Sequence, residues 1–180
     1  MNTGDTFTVE VSFDDGTTGV YSRMINYVFK SIPKLINWGP PGSLAAFNGP
    51  AEIVFDGTQD LVLEWAPPVD DFGMLMTGWP YRLELFYYDT NDQQIDNIDA
   101  STWTTAITNF NTQGPTIEVP AADVTTLSAS NTFSYQIPKE VFVDQVQTTS
   151  GTVDVQSYKV DIAAQNNGNN AALMIRLRKH

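Results

Sequence analysis

Two runs of alternating apolar and polar residues near the C-terminus are separated by the Asn- and Gly-rich stretch "QNNGNN". The apolar positions of these runs are Tyr158, Val160, Ile162, Leu173, Ile175 and Leu177. Successive side chains of a β-strand point to opposite faces, so such alternation is typical of a strand with one buried face. Asn and Gly tolerate the positive φ angles of tight turns. The sequence therefore predicts a β-hairpin here.

Similar segments fill the chain from Ala51 onward. "AEIVF", "LVLEW", "YRLELFYY", "TFSYQI" and "GTVDVQ" are short, rich in β-branched and aromatic residues, and separated by turn-forming residues. Strands at this spacing suit a sandwich or a barrel rather than strands that alternate with helices. We expect an all-β protein whose strands form an antiparallel β-sandwich.

Residues 1–40 are predicted to form an N-terminal arm. Alternation in "FTVEVSF" predicts a strand that ends at the turn-forming "DDGTTG". In "VYSRMINYVFKSIP" the near-helical spacing of apolar residues and the stop at Pro33 favour a short helix. The β-branched and aromatic residues of this segment favour a second strand instead, and we prefer the helix. The Pro- and Gly-rich "NWGPPGS" then marks a boundary near Gly39–Ser43 with a main domain over residues 41–180.

Three stretches resemble, in order, strands of a fibronectin type III domain: "DLVLEWAPP", "YRLELFYYD" and "YKVDIAAQNNGN". In that family a core tryptophan near the end of the second strand is followed by proline, as Trp65 is by two prolines here. The family's Tyr-x-Val-x-Val-x-Ala-x-Asn-x-x-Gly pattern is similar to the sequence from Tyr158 to Gly168, with the glycine displaced by one. The resemblance implies two facing sheets that close over Trp65. Another immunoglobulin-like topology or a jelly roll would share the same alternation.

Composition narrows the classes of partner. The 180 residues carry a formal net charge of -12, which repels nucleic acid and anionic membrane surfaces. The chain has no cysteine, and its first residues show no signal peptide. We therefore expect no nucleic-acid or membrane binding and synthesis in the cytoplasm. The basic end, Arg176 to His180, is interpreted as a solvated end of the last strand, with docking to an acidic neighbour as the alternative.

The chain offers little material for catalysis. Its only histidine is His180, so a histidine base or a multi-histidine metal site is not expected. Paired carboxylates, Asp70 with Asp71 or Asp96 with Asp99, could in principle serve a glycosidase. Asp commonly fills turns, and we interpret these residues as turn-forming. We predict no catalytic residue and no cofactor.

A calcium loop is the other chemical option. The stretch "DTNDQQIDNID" contains several oxygen ligands of the kind that Ca²⁺ prefers, namely Asp89, Asn91, Asp92, Asp96 and Asp99. It lacks the glycine at the bend and the closing glutamate of an EF-hand loop. A hairpin tip is therefore the preferred interpretation, and no metal site is predicted.

Aromatic residues are the remaining candidates for a binding surface. If Tyr81 and the alternate residues after it face the core, Phe86 and Tyr88 face outward, and an exposed aromatic pair needs a cover. The N-terminal arm, a neighbouring subunit or a ligand could supply that cover. The predicted binding residues are Phe86, Tyr88, Trp38 and Trp79, the last of which we expect in a loop. These residues could also stack against a sugar.

Two functions of different class follow. The first is a non-catalytic structural protein that is a subunit of a homo-oligomer or of a multi-protein assembly. A phage virion is one such assembly, in which the protein would decorate the capsid or belong to the neck or tail. This expectation is an analogy from fold and composition, and it implies a virion assembled in the host cytoplasm. The alternative is a carbohydrate-binding or adhesion module that takes a glycan. An enzyme is the least favoured reading.

Overall fold

The computed structural model describes residues 2–24, 28–49, 52–102, 109–111, 114–119, 132–166 and 169–180. The fold is all-β, with mostly antiparallel sheets, none of them closed. Its described residues include no α-helix, only 3-10 turns at Ala100–Thr102 and Lys139–Val141, and hence no helix that could cross a membrane. The strands are β1 (Thr6–Ser12), β2 (Thr18–Met24), β3 (Lys34–Gly39), β4 (Ala45–Ala46), β5 (Ile53–Phe55), β6 (Leu61–Ala66), β7 (Tyr81–Tyr88), β8 (Asn109–Asn111), β9 (Gly114–Val119), β10 (Phe133–Ile137), β11 (Gln145–Thr148), β12 (Gly151–Asp154), β13 (Ser157–Asn166) and β14 (Asn169–Lys179).

The strands form four sheets. A four-stranded sheet has the order β10-β6-β3-β4, and a six-stranded sheet has the order β5-β14-β13-β7-β9-β8. The strands β1 with β2 and β11 with β12 form separate two-stranded sheets. Neighbouring strands are antiparallel, except that β5 runs parallel to β14. The described chain therefore has two larger sheets and two isolated hairpins.

The predicted C-terminal hairpin is confirmed. Strands β13 and β14 pair antiparallel with Tyr158 opposite Leu177 and Ile162 opposite Leu173. Tyr158, Val160 and Ile162 are fully buried, so alternation here does follow a buried face. The tip of the hairpin, which includes Gly168, lies outside the described residues.

The core joins the two larger sheets. Trp65 of β6 is fully buried, and its ring meets the ring of Tyr81 of β7 edge-on, with 5.2 Å between centroids. Every second residue of β7 from Tyr81 to Tyr87 is buried, as the alternation predicts. Burial of these apolar groups is the main stabilising contribution to the fold. The fibronectin type III-like or immunoglobulin-like sandwich topology stays a prediction.

The predicted helix of the arm is wrong in the part that the structure describes. Thr18–Met24 forms strand β2, which pairs with β1 along its whole length, from Thr6 opposite Met24 to Ser12 opposite Thr18. A turn with Gly16 at φ 82° reverses the chain between them. The β-branched and aromatic residues of β2 suit this ladder, whose cross-strand hydrogen bonds replace those of a helix. Residues 25–27 of the same segment lie outside the described residues.

The end of the predicted arm reaches the four-stranded sheet. Strand β3 pairs with β6, and Leu35 belongs to the core. Gly39, which ends β3, has φ 150°, and a Cβ there would lie 2.5 Å from the Ser43 carbonyl oxygen, so the following turn requires glycine. The division into an arm of residues 1–40 and a domain of residues 41–180 stays a prediction.

Candidate docking surface

Strands β1 and β2 form a hairpin with an exposed apolar face. Phe7, Val9, Val11 and Phe13 lie on one face, and Val9 is opposite Tyr21 of β2. The exposed fractions on this face include 45% for Phe7 and 63% for Tyr21. Contiguous exposed apolar side chains of this kind commonly mark sites of protein interaction. This face of the hairpin is called the hairpin face below.

The opposite side of the hairpin is mainly polar. There the hydroxyl groups of Thr8 and Ser22 form a hydrogen bond of 2.8 Å. The apolar residues on this side are Val20, opposite Glu10, and Met24, opposite Thr6. Neither β1 nor β2 pairs with another strand of the described chain. An isolated two-stranded hairpin is at best marginally stable in water, and its free edges can accept a further strand. The two-stranded sheet of the hairpin therefore leaves strand edges unpaired in the described chain.

The base of the hairpin is held by Asp71, in the loop between β6 and β7. The Asp71 carboxylate accepts hydrogen bonds from the backbone N (2.7 Å) and the hydroxyl (2.9 Å) of Thr3. The Lys30 ammonium donates to the Asp71 carbonyl oxygen at 2.6 Å. The pKa of Asp71 lies below its ordinary value, and the main cause is the hydrogen bond from the backbone N of Thr3. A charged acceptor therefore fixes the point from which the hairpin projects.

The same loop presents two large apolar side chains. The Asp70 carboxylate accepts hydrogen bonds from the backbone N of Phe72 (2.9 Å) and of Met74 (2.8 Å). Gly73 completes the turn with φ 82°. Phe72 and Met74 are 74% and 66% exposed. Because the turn is held by its own hydrogen bonds, these side chains are presented at little cost in ordering, as suits an anchor at an interface. Phe72 and Met74 are called the loop anchors below.

An open groove lies beside this loop. It has a volume of about 750 Å³ and is lined mainly by apolar residues, among them Ile32, Leu35, Phe47, Leu75 and Leu173. The described residues of its lining include Lys34 and no carboxylate. Pockets that bind ligands have volumes of about 300–1,000 Å³, so this groove has room for several apolar side chains.

Two predicted binding residues of β7 are less exposed than expected. Phe86 is half-buried, and Tyr88 is only 8% exposed. The chain after β7 folds back so that Gln94 bridges to Tyr88, and the Lys159 ammonium lies 4.0 Å from the centre of the Tyr88 ring. A cation over an aromatic face is a favourable contact. Tyr88 is thus covered by its own chain, through segments other than the arm.

The two predicted tryptophans lie apart from this pair. Trp79 is buried just ahead of β7, and its ring meets that of Phe29 edge-on at 5.0 Å. Trp38 of β3 is half-buried and lines a pocket of about 300 Å³. The four residues therefore do not form one exposed aromatic platform. A binding role for each of them stays a prediction.

The acidic residues considered for chemistry take part in turns and ion pairs. Asp89 accepts hydrogen bonds from the backbone N of Asn91 and Gln93, both at 2.8 Å, and Asp99 accepts one from Ser101 N. Among the described residues no cluster of three metal-ligating acidic or histidine side chains occurs. These carboxylates act on their own backbone, which is the behaviour expected of turn residues.

The basic end of β14 contacts carboxylates of the same chain. The Arg176 guanidinium pairs with Asp92 at 2.5 Å and with Glu52 at 3.2 Å. Lys179 pairs with Asp144 at 2.6 Å. The pKa of Arg176 is raised, and the hydrogen bond to Asp92 is the main cause. These cations therefore serve intramolecular pairs.

Sequence reasoning missed the loop anchors. Phe72 and Met74 stand in "DDFGMLM", where Asp and Gly predict a turn and the flanking apolar residues are unusual for one. That contrast is the signal that could have found them.

No protein-family model matches the chain, and a search of the curated proteins finds no match.

Proposed function

We propose that this chain is a non-catalytic structural protein that joins a larger assembly through its N-terminal hairpin. Assemblies of this kind include phage virions, in which such a subunit would decorate the capsid or belong to the neck or tail. The body of the subunit would be a fibronectin type III-like or immunoglobulin-like β-sandwich. The link to a virion is an analogy from fold and composition.

The exposed hairpin face carries this proposal. Phe7, Val9 and Tyr21 remain in water although the same chain buries Trp65 and its neighbours completely. Each apolar group left in water forgoes about 25 cal/mol per Å² that burial would contribute. A partner that covers the hairpin face and the loop anchors would recover this contribution and complete the two-stranded sheet. A subunit surface has these properties.

The glycan-binding alternative has less support. A sugar platform needs aromatic faces that are open to solvent. Tyr88 and Trp79 are each only 8% exposed, which leaves Phe86 and Trp38 partly accessible and on different sheets.

Light scattering across a concentration series tests the proposal. A structural subunit is expected to give a mass above that of the 19.9 kDa monomer as the concentration is raised. A protein that stays monomeric at every concentration and binds a glycan on an array would overturn the proposal in favour of the alternative.

A further inference from the structure

The groove beside the loop and the hairpin face have matching character. Both are apolar, and each is open to solvent in the described chain. The groove is large enough for two or three of the side chains of the hairpin face, such as Phe7 and Val9. Shape and apolar surface alone would accept many occupants, so the choice of occupant depends on charge and on the position of the hairpin.

Charge selects an acidic occupant. Lys34 lies in the groove lining, and among the described residues of that lining there is no carboxylate. The rest of this chain is strongly acidic, with a net charge of -12. The hairpin carries Asp14 and Asp15 in its turn and Glu10 on the side away from the hairpin face, while Arg23 lies on the hairpin face opposite Phe7. The lysine of an otherwise apolar groove thus complements the acidic turn of an apolar hairpin, and complementary charge favours the correct pairing over others.

The position of the hairpin base argues against insertion into the groove of the same molecule. None of the residues of β1 or β2 lines the groove. Thr3 is bonded to Asp71, and the loop that contains Asp71 also supplies Leu75 to the groove. With these bonds in place the hairpin stays outside the groove of its own molecule, whereas a hairpin from another molecule can enter with the anchor intact.

We infer that the groove receives the hairpin of a second copy of this chain, with the hairpin face directed inward and the acidic turn, Asp14 and Asp15, beside Lys34. This inference rests on the proposed function, because it names the partner of the same docking surface. Mutual insertion by two copies would form a symmetric dimer, and one-way insertion would form a chain of subunits.

Cross-linking between single-cysteine variants tests the inference, because the natural chain has no cysteine. Val9→Cys, on the hairpin face, is mixed with ¹⁵N-labelled Leu75→Cys, in the groove, and treated with a short bismaleimide. We expect mixed covalent dimers, identified by mass, in several-fold higher yield than with Val20→Cys, which lies on the opposite side of the hairpin. Circular dichroism of each variant checks that it is folded.

A charge reversal supplies a second readout. Lys34→Glu is expected to lower the yield of mixed dimers several-fold, because it places a carboxylate against the acidic hairpin. Lys139→Glu, far from the groove in sequence and absent from its lining, is the matched control and should leave the yield unchanged.

Three outcomes would overturn the inference. They are no mixed dimers between Val9→Cys and Leu75→Cys, dimers only between two Val9→Cys chains, and equal yields from Val9→Cys and Val20→Cys. Light scattering of the same samples separates the two proposals. Masses above the monomer without mixed dimers would reject hairpin-in-groove docking and leave the proposed function standing. Monomers throughout, with binding to a glycan on an array, would reject both.

Discussion

Thr3 donates two hydrogen bonds to the carboxylate of Asp71, a residue 68 positions further along the chain. The Thr3 hydroxyl oxygen also accepts a hydrogen bond from the backbone N of Val28 at 3.1 Å. Thr3 precedes β1 and Val28 follows β2, so this one threonine connects both ends of the hairpin to the loop between β6 and β7. The orientation of the hairpin relative to the rest of the chain depends on this contact.

Replacing Asp71 should loosen the hairpin without unfolding the core. In Asp71→Ala both acceptors for Thr3 are lost, and we expect the amide protons of Thr3 and β1 to exchange with solvent several-fold faster, because local opening becomes easier. Hydrogen exchange followed by NMR measures this effect. Asp71→Asn keeps one acceptor oxygen and should have a smaller effect. Unchanged exchange in Asp71→Ala would show that other contacts hold the hairpin.

Acidification should weaken the same contact. The folded-state pKa of Asp71 is lowered, so its stabilising contribution is present above the unfolded pKa, about 3.9 for aspartate, and is lost as pH falls through the folded value. A pH titration of the Thr3 amide chemical shift should therefore show a transition whose midpoint lies below the ordinary aspartate value. The transition should vanish in Asp71→Asn. A midpoint at or above the ordinary value would contradict the hydrogen bonds described here.

Truncation of Trp65 should be among the most destabilising single changes. Its ring is fully buried against Tyr81 and Phe133, and Trp→Ala at such sites lowers the free energy of unfolding by about 3–5 kcal/mol. Denaturant unfolding measures the loss. Trp38→Ala, at a half-buried position, is the matched control and should cost less. Equal losses at both positions would argue against Trp65 as the centre of the core.

The turn that presents the loop anchors should depend on Asp70. In Asp70→Ala the backbone N of Phe72 and of Met74 lose their common acceptor, so both amide protons should exchange several-fold faster and association should weaken. Phe72→Ser removes one anchor but keeps the acceptor, so it should weaken association while Met74 amide exchange stays slow. If Asp70→Ala leaves both exchange and association unchanged, the turn does not preorganise the anchors.

The body of the fold could be predicted because its strands each bury one face. Trp65, Tyr81 and the apolar positions of β13 and β14 occupy the core as alternation indicates. Strand β2 could not be predicted in the same way. Unlike β1, which is also exposed but alternates strictly, β2 has neither a buried face nor alternating apolar residues, so pairing with β1 decides its structure.

The surface was harder to predict because it depends on contacts between distant residues. Alternation directs Tyr88 outward, but the returning chain at Gln94 and the neighbouring Lys159 cover it. Phe72 and Met74 lie in a turn. The neighbouring residues in the sequence do not determine whether a side chain in a turn packs against the core or projects into solvent. The hairpin residues were correctly placed on β1, while their lack of a cover became visible only with the fold.

Sedimentation equilibrium of Val9→Thr and Val20→Thr tests most directly whether the hairpin face is the docking surface. Threonine has nearly the shape and the strand propensity of valine, so each change replaces one apolar group by a hydroxyl on one side of the hairpin. We predict that the unmodified chain and Val20→Thr associate alike and that Val9→Thr shifts the equilibrium toward the monomer. A monomeric unmodified chain, or equal weakening by both substitutions, would contradict docking through this face.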